Sequence, residues 1–178
     1  VCHGSLGVAA IALLTEDPNL TDVIAASHTH ISRNLDEIRG GGWQEGIGYL
    51  NYTLRTSAEF ADVLKRATGG RMNLFEHPKY DTGIETMVYS HILPDKSLHF
   101  GDSSGGKVNS WWLYNLLALE TGNRQAAWLL ENLTSGDPTG VADLFMPRSN
   151  LEPDLPDQPS VHFPDVGWAI LRSGFENP

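Results

Sequence analysis

Glycine and proline punctuate this chain at helical intervals, and that constrains its fold more than any other feature. Breaks at Asp17-Pro18-Asn19, Gly40-Gly41-Gly42, Gly69-Gly70, His77-Pro78 and Thr121-Gly122 divide 178 residues into segments of helical periodicity. Proline has no amide donor and glycine accepts left-handed backbone, so both end helices and open turns. Helices joined by such short connections lie antiparallel to their neighbours.

The segments read as follows. Residues 3–15 are small and apolar nearly all round, which predicts a buried helix. Residues 20–38 place Leu20, Ile24, Ile31, Leu35 and Ile38 at helical spacing, after a break that supplies the cap. Residues 45–67 predict a third helix, with Tyr49, Tyr52, Phe60, Val63 and Leu64 on one side and Arg55, Glu59 and Arg66 elsewhere. Residues 72–92 predict a short and a longer helix split at His77-Pro78. LPDKSLHFGDSSGGK follows as a loop, and 108–119 and 123–134 form another helix pair. The Pro/Asp/Ser stretch 135–160 has no period and should wrap a surface or line a cleft. Val166–Leu171 is the one convincing strand. Stacked hairpins suggest a solenoid or a toroid. No fixed-period repeat is present, which favours an (α/α) toroid.

The charge balance narrows the partners. A formal net charge of −10 opposes binding to nucleic acid, whose phosphates it repels. A local cationic pocket on such a protein still accommodates a small anion. Cys2 is the single cysteine, so no internal disulfide forms. No apolar run reaches the roughly 20 residues of a membrane-spanning helix. VCHGSLGVAAIALL starts within a helical pattern and HFPDVGWAILRSGFENP opens a strand-like run. Both suggest a piece of a longer protein.

Several residues can carry chemistry. His3 lies among small residues, either as a buried hydrogen-bonded histidine or as a general base with room for substrate beside it. His28 and His30 point to different helix faces, which disfavours a metal pair. His77 reads as a helix-end residue, and His162 before Phe163-Pro164 as structural. His91, near a helix end, suits a cationic ring on the dipole. His99 and Asp102 flank Phe100-Gly101 at a possible site edge. Neither HExxH, a cysteine pair nor a calcium loop occurs. Cys2 and His3 diverge by about 100° on a helix, too far for mutual activation. Tyr49 and Tyr52 are packing residues or a proton donor and its neighbour; a phenol's ordinary pKa is near 10, so a nearby cation would help it act as a base. Glu45 is a helix N-terminal charge or a substrate ligand. Trp43 is core or a sugar-stacking platform. Of the adjacent Trp111 and Trp112, only one readily faces a core.

In order, VCHGSLGVAAIALL, GGGWQEGIGYLNYTLR, SLHFGDSS and HFPDVGWAILRSG resemble the heparinase II/III-like polysaccharide lyases, which include oligoalginate and heparin or heparan lyases. The W-x-E-G-x-x-Y-x-x-Y element is the most specific part. The resemblance implies the C-terminal part of an (α/α) toroid over 1–160, and a linker with the first strand of a β-sandwich over 161–178. It implies β-elimination beside a uronic acid, whose C5 proton becomes removable once its carboxylate is neutralised. His3 and Tyr49 match the family's base and acid, with Tyr52 as neighbour. Trp43, Gln44, Glu45, Tyr52, His99 and Asp102 fall to substrate binding. Cys2 stands where several members carry an assisting Asn, leaving Gln44 and Glu45 to neutralise the carboxylate. A further family histidine comes from the sandwich domain. The resemblance requires no cofactor and assigns any structural metal to that domain. The implied partner is an acidic oligo- or polysaccharide, and the implied location the periplasm or exterior of a bacterium. A glycan-binding toroid without turnover is an alternative. So is a toroid glycoside hydrolase using two carboxylates, for which Glu45 and Asp102 are the pair.

Overall fold

The computed structural model of the chain describes residues 2–40, 42–93, 96–103, 110–133 and 146–175. The architecture is mainly helical: α1 (Cys2–Leu13), α2 (Leu20–Asp36), α3 (Ile47–Ala67), a 3-10 turn (Leu74–Glu76), α4 (Lys79–Ser90), α5 (Trp111–Thr121) and α6 (Arg124–Leu133). Two small antiparallel hairpins complete it, β1 (His91–Leu93) with β2 (Lys96–Ser97) and β3 (Val161–Phe163) with β4 (Trp168–Ile170).

Helix α3 is the centre of the packing. Its core stripe is Ile47, Leu50, Leu54, Ala58, Ala61 and Leu64, each at most 1% exposed. That stripe follows the three-and-four spacing of one helical face. Tyr49, Tyr52 and Phe60 share one side of the helix, as their spacing implies, but that side is not the core stripe. The two phenols lie off the core stripe at 45% and 46% exposure. Around α3 pack Ile31 and Leu35 of α2, Tyr80, Ile84 and Met87 of α4, and Leu113, Tyr114 and Leu117 of α5, while Ala126 and Leu129 of α6 extend the same core from α4 and α5.

Helix α1 departs from expectation. Only Gly4, Gly7 and Ala10 are buried, while Leu6 and Leu13 are about half exposed. The buried residues are small because the neighbours are close. A Cβ on Gly4 would lie 2.9 Å from the Thr56 carbonyl oxygen, and one on Gly7 would overlap the Phe60 ring and Ser27 Cβ. The apolar residues on the opposite side meet no described element.

The stretch 146–160 wraps the helices, as its composition suggested. Asn115 of α5 grips it from both sides, donating to the Pro147 carbonyl at 3.0 Å and accepting from the Ser149 amide at 2.8 Å. Arg124 Nε donates to the Glu152 carbonyl at 2.8 Å, and the Tyr89 hydroxyl donates to the Gln158 carbonyl at 2.7 Å. The first part of the expected stretch 135–160, residues 135–145, lies outside the described residues.

The strand expected alone at 166–171 is one arm of a hairpin, with Val161 opposite Ile170 and Phe163 opposite Trp168. Pro164 and Asp165 concealed the first arm by interrupting its apolar pattern. The β1–β2 hairpin corrects the expected helical end of 72–92 at His91 and Ile92 and was otherwise hidden in the loop that follows, because two or three residues are too short to show a period of two.

Candidate functional site

Three loops meet at the N-terminal end of α3. The first is the α2–α3 connection. Arg39 and Gly42 pair in an isolated antiparallel bridge, and Lys79 Nζ donates to the Ile38 carbonyl at 2.7 Å, tying off the end of α2. Trp43, Gln44 and Glu45 then lead into α3. The second loop is 99–103. Its Asp102 amide donates to the Glu45 carbonyl at 2.8 Å. The third is the β3–β4 turn, where Asp165 and Val166 press against Gly40 and Gly42.

Glycine makes the first two loops compatible. Gly46 precedes α3 with φ 107°, and Gly101 has φ 58°, both in backbone regions that other residues avoid. A Cβ on Gly46 would overlap the Phe100 carbonyl oxygen, and one on Gly101 would come within 2.6 Å of the Glu45 carbonyl carbon. The Phe100 ring stacks on Trp168 of β4, with centroids 4.3 Å apart and 17° between planes. Backbone approach and ring stacking thus lock 44–46, 99–103 and the hairpin together.

The structure brings together five of the residues that the sequence nominates. Trp43, Gln44 and Glu45 line an open cleft of about 340 Å³ with Glu37, Arg39 and Val166. Trp43 is half-buried, packs on the core, and donates its indole N–H to Glu45 Oε2 at 3.0 Å. It is thus both a core residue and a cleft wall. His99 and Asp102 are exposed on the loop docked behind Glu45. Sequence reasoning missed Arg39, whose guanidinium contacts Glu37 Oε2 at 2.7 Å and stays largely exposed. Its signal was available: it is the cation directly before the glycine turn.

His3, Tyr49 and Tyr52 sit on a neighbouring face. Gly4 abuts Thr56 and Gly7 abuts Phe60, so α1 and α3 run parallel. Thr56 is four residues after Tyr52 and seven after Tyr49, so both phenols continue the α1-facing stripe of α3. By that register His3 lies about one turn, roughly 5 Å along the axis, beyond Tyr52, with Tyr49 a further turn away. The His3 ring stacks on His30 of α2, with centroids 3.6 Å apart and 19° between planes. Stacking occupies the ring faces and leaves the nitrogen-bearing edges for other partners. Burial, and then the opposing His3 and Arg33, hold the His30 imidazole below its ordinary value.

The remaining histidines separate cleanly. His28 is half-buried and His162 is exposed on β3. His77 ends the 3-10 turn, where its Nδ1 accepts the Lys79 amide at 3.3 Å. His91 corrects the expectation of a cation on a helix dipole. It is 3% exposed, its Nδ1–H donates to the Met87 carbonyl at 2.6 Å, and Arg172 covers its own carbonyl at 2.7 Å. Burial pushes its pKa down to about 4, against the pull of the Met87 bond and assisted by Arg172, so the ring is neutral near pH 7. Trp111 is buried and Trp112 only partly so, which matches the expectation that one of the pair faces the core. Among the described residues no group of three or more His, Cys, Asp or Glu side chains gathers as a metal site would require, and no helix is long and apolar enough to cross a membrane. No protein-family model, no curated protein and no solved structure matches the chain.

Proposed function

We propose that this chain is part of an (α/α)-toroid polysaccharide lyase that cleaves uronic-acid-containing glycans by β-elimination. The observation that carries the reading is the docking of the 99–103 loop onto residues 44–46, at the mouth of the helix that presents Tyr49. Two motifs distant in sequence, both nominated for substrate contact, are joined there by backbone contact. Beside it Tyr49 and Tyr52 are about half exposed, and His3 lies on the adjoining helix about one turn beyond Tyr52 by the register of Gly4 on Thr56.

In this reading His3 removes the C5 proton and Tyr49 protonates the leaving glycosidic oxygen. Neutralising the uronate carboxylate stabilises the charge that develops as the proton leaves. The sulfur of exposed Cys2 is a weak donor for that task, and ionised Glu45 only accepts hydrogen bonds, so Gln44 is the better-suited of the expected pair.

The test is incubation of the chain with alginate, heparin and unsulfated uronans, following the ultraviolet absorbance of the C4–C5 unsaturated product. Rising absorbance that Tyr49→Phe abolishes supports the lyase reading. New reducing ends without that absorbance would establish instead a hydrolase using Glu45 and Asp102, a reading favoured by the hydrogen bond that joins their two loops.

A further inference from the structure

The glycines of α1 decide which ring His3 meets. A Cβ on Gly4 would lie 3.7 Å from Ile31 Cδ1, and one on Gly7 would lie 2.8 Å from Ser27 Cβ. Position rises along α1 as it falls along α2, so the two helices run antiparallel, in contact through glycine. His3 and His30 each precede a member of the Gly4–Ile31 contact, and their rings meet face to face with centroids 3.6 Å apart and 19° between planes. Both are half-buried. Among the described residues neither ring has a hydrogen-bond or carboxylate partner. A histidine base is ordinarily oriented by a hydrogen bond at its second nitrogen. For His3 the contact that fixes the ring plane is the face of His30, and the nitrogen-bearing edges stay available. The stack also limits charge. Two imidazolium rings 3.6 Å apart repel, so the pair accommodates one proton near neutral pH. The groups that face His30 are His3 of α1, the amino group that opens the chain and Arg33 of its own helix, and no carboxylate is among them. Burial first, and then those groups, hold His30 below its ordinary value, so it is the ring left neutral. A neutral aromatic face attracts a cation lying over it.

We propose that His30 is a positioning residue for His3: its ring face fixes the plane of the base and lies against the positive charge that His3 acquires on taking the C5 proton. The inference rests on the lyase reading. In that step the C5 proton passes to a ring nitrogen of His3, the C5–H electron pair becomes the C4–C5 double bond, and the leaving oxygen takes the Tyr49 proton. His30 itself gains and loses no proton. Its work is orientation and charge. A ring free to turn about its side-chain bonds presents the right nitrogen only part of the time, and the stack removes that freedom.

The test compares His30→Ala, His30→Leu and His30→Phe in the full chain, with turnover of alginate, heparin and unsulfated uronans followed by absorbance of the unsaturated product. His30→Ala should lower kcat by roughly 10–100-fold with KM little changed, because the base loses its orientation while substrate contacts persist. His30→Phe keeps an aromatic face and should recover kcat to within about threefold of the parent. His30→Leu fills the same space without such a face and should remain impaired. Recovery by leucine equal to that by phenylalanine would make His30 a packing residue and overturn the proposal, as would a kcat unmoved in His30→Ala. Proton NMR of the imidazole Cε1–H groups, read without substrate, tests the pair independently of turnover. The His30 midpoint should lie below 6.5, rise in His3→Gln and rise less in Arg33→Gln, the order in which those groups act on it. A His30 midpoint unmoved in His3→Gln would show that the rings do not stack, and would overturn the proposal too. Coupled titration without product on any uronan leaves the stacked pair standing but removes the lyase, and with it the role of His30 in turnover. Product with kcat unmoved in His30→Ala removes that role alone and leaves the lyase.

Discussion

Replacing Gly46 by alanine tests the junction on which the site depends. Gly46 has φ 107° and ψ 175°, a backbone region populated almost only by glycine, so any side chain there costs about 1–3 kcal/mol in strain. The new Cβ would overlap the Phe100 carbonyl oxygen, with the Phe100 carbonyl carbon and the Ser103 amide nitrogen each at 3.1 Å. All three are backbone atoms, so no rotamer change relieves the contact. The 99–103 loop must retreat. That retreat breaks the Asp102–Glu45 bond, worth about 1 kcal/mol, and loosens the Phe100–Trp168 stack, worth about another 1 kcal/mol. The sum is about 3–5 kcal/mol. At roughly 2–4 °C per kcal/mol for a chain of this length, the melting temperature falls by roughly 6–20 °C. Gly48→Ala is the matched control, two residues on in the same helix. An added Cβ there meets nothing within 4 Å, so the variant should be neutral or about 0.5 kcal/mol more stable. Urea titration followed by circular dichroism measures both. If Gly46→Ala unfolds within about 0.5 kcal/mol of the parent, the two loops are not held by backbone contact and the argument for a joined site fails. Gly101→Asn separates strain from contact, because asparagine tolerates φ near 58° while its Cβ still strikes the Glu45 carbonyl. It should destabilise as well.

The other expectations concern charge, catalysis and packing. His91 is held at about 4 in the folded chain and returns to about 6.5 on unfolding, so the unfolded state takes up a proton that the folded state refuses. Its contribution is fully present above pH 6.5 and is lost as pH falls toward 4, by about 3 kcal/mol; chemical denaturation across that range should show the slope, and His91→Gln should flatten it. Tyr49→Phe should lower turnover by roughly 10²–10⁴-fold, the usual worth of a general acid. Its unfolding midpoint should stay unchanged because the side chain is 45% exposed, and a matching loss of stability would make Tyr49 a packing residue instead. Gly7→Val should push α1 off the Phe60 ring at about 1–3 kcal/mol, separate His3 from His30, and speed proteolysis within residues 14–19. Unchanged cleavage there would mean that α1 is not seated by Gly7.

The helices were legible because their signals are local. Ile31, Leu35 and Ile38 are buried as their spacing required, and Gly122 ends α5 in the left-handed conformation that its position after Thr121 suggested. His77-Pro78 divides the 3-10 turn from α4 as expected. Burial of α1 was misjudged for a physical reason. Periodicity reports which residues are apolar, but burial requires an opposing surface, and the face bearing Leu6 and Leu13 has none among the described residues. The same limit left open which side of α3 forms the core. Tyrosine counts as apolar in a pattern, yet Ile47, Leu50 and Leu54 outcompete Tyr49 and Tyr52 for the core because a buried phenol must also satisfy its hydroxyl. Tyr114 meets that demand by donating to Asn51 at 3.2 Å.

The site was legible as a set of residues but not as an arrangement. Trp43, Glu45, His99 and Asp102 were nominated by type and order, and their juxtaposition depends on contacts between segments about 55 positions apart. The physical trace of that juxtaposition was nevertheless in the sequence, at Gly46 and Gly101. A glycine at a helix entrance and another in a short polar loop each have ordinary explanations as turns. Taken together they mark two backbones that approach too closely for any Cβ, and each glycine's added carbon would strike the other's loop. Reciprocal contact of this kind explains why neither position would tolerate substitution alone. It also means that the pair acts as one unit: changing both glycines to alanine should cost less than the sum of the single changes, because the first substitution already parts the loops. An additive double variant would show that the two glycines serve separate turns, and that the surface joining residues 44–46 to 99–103 is not a single structure.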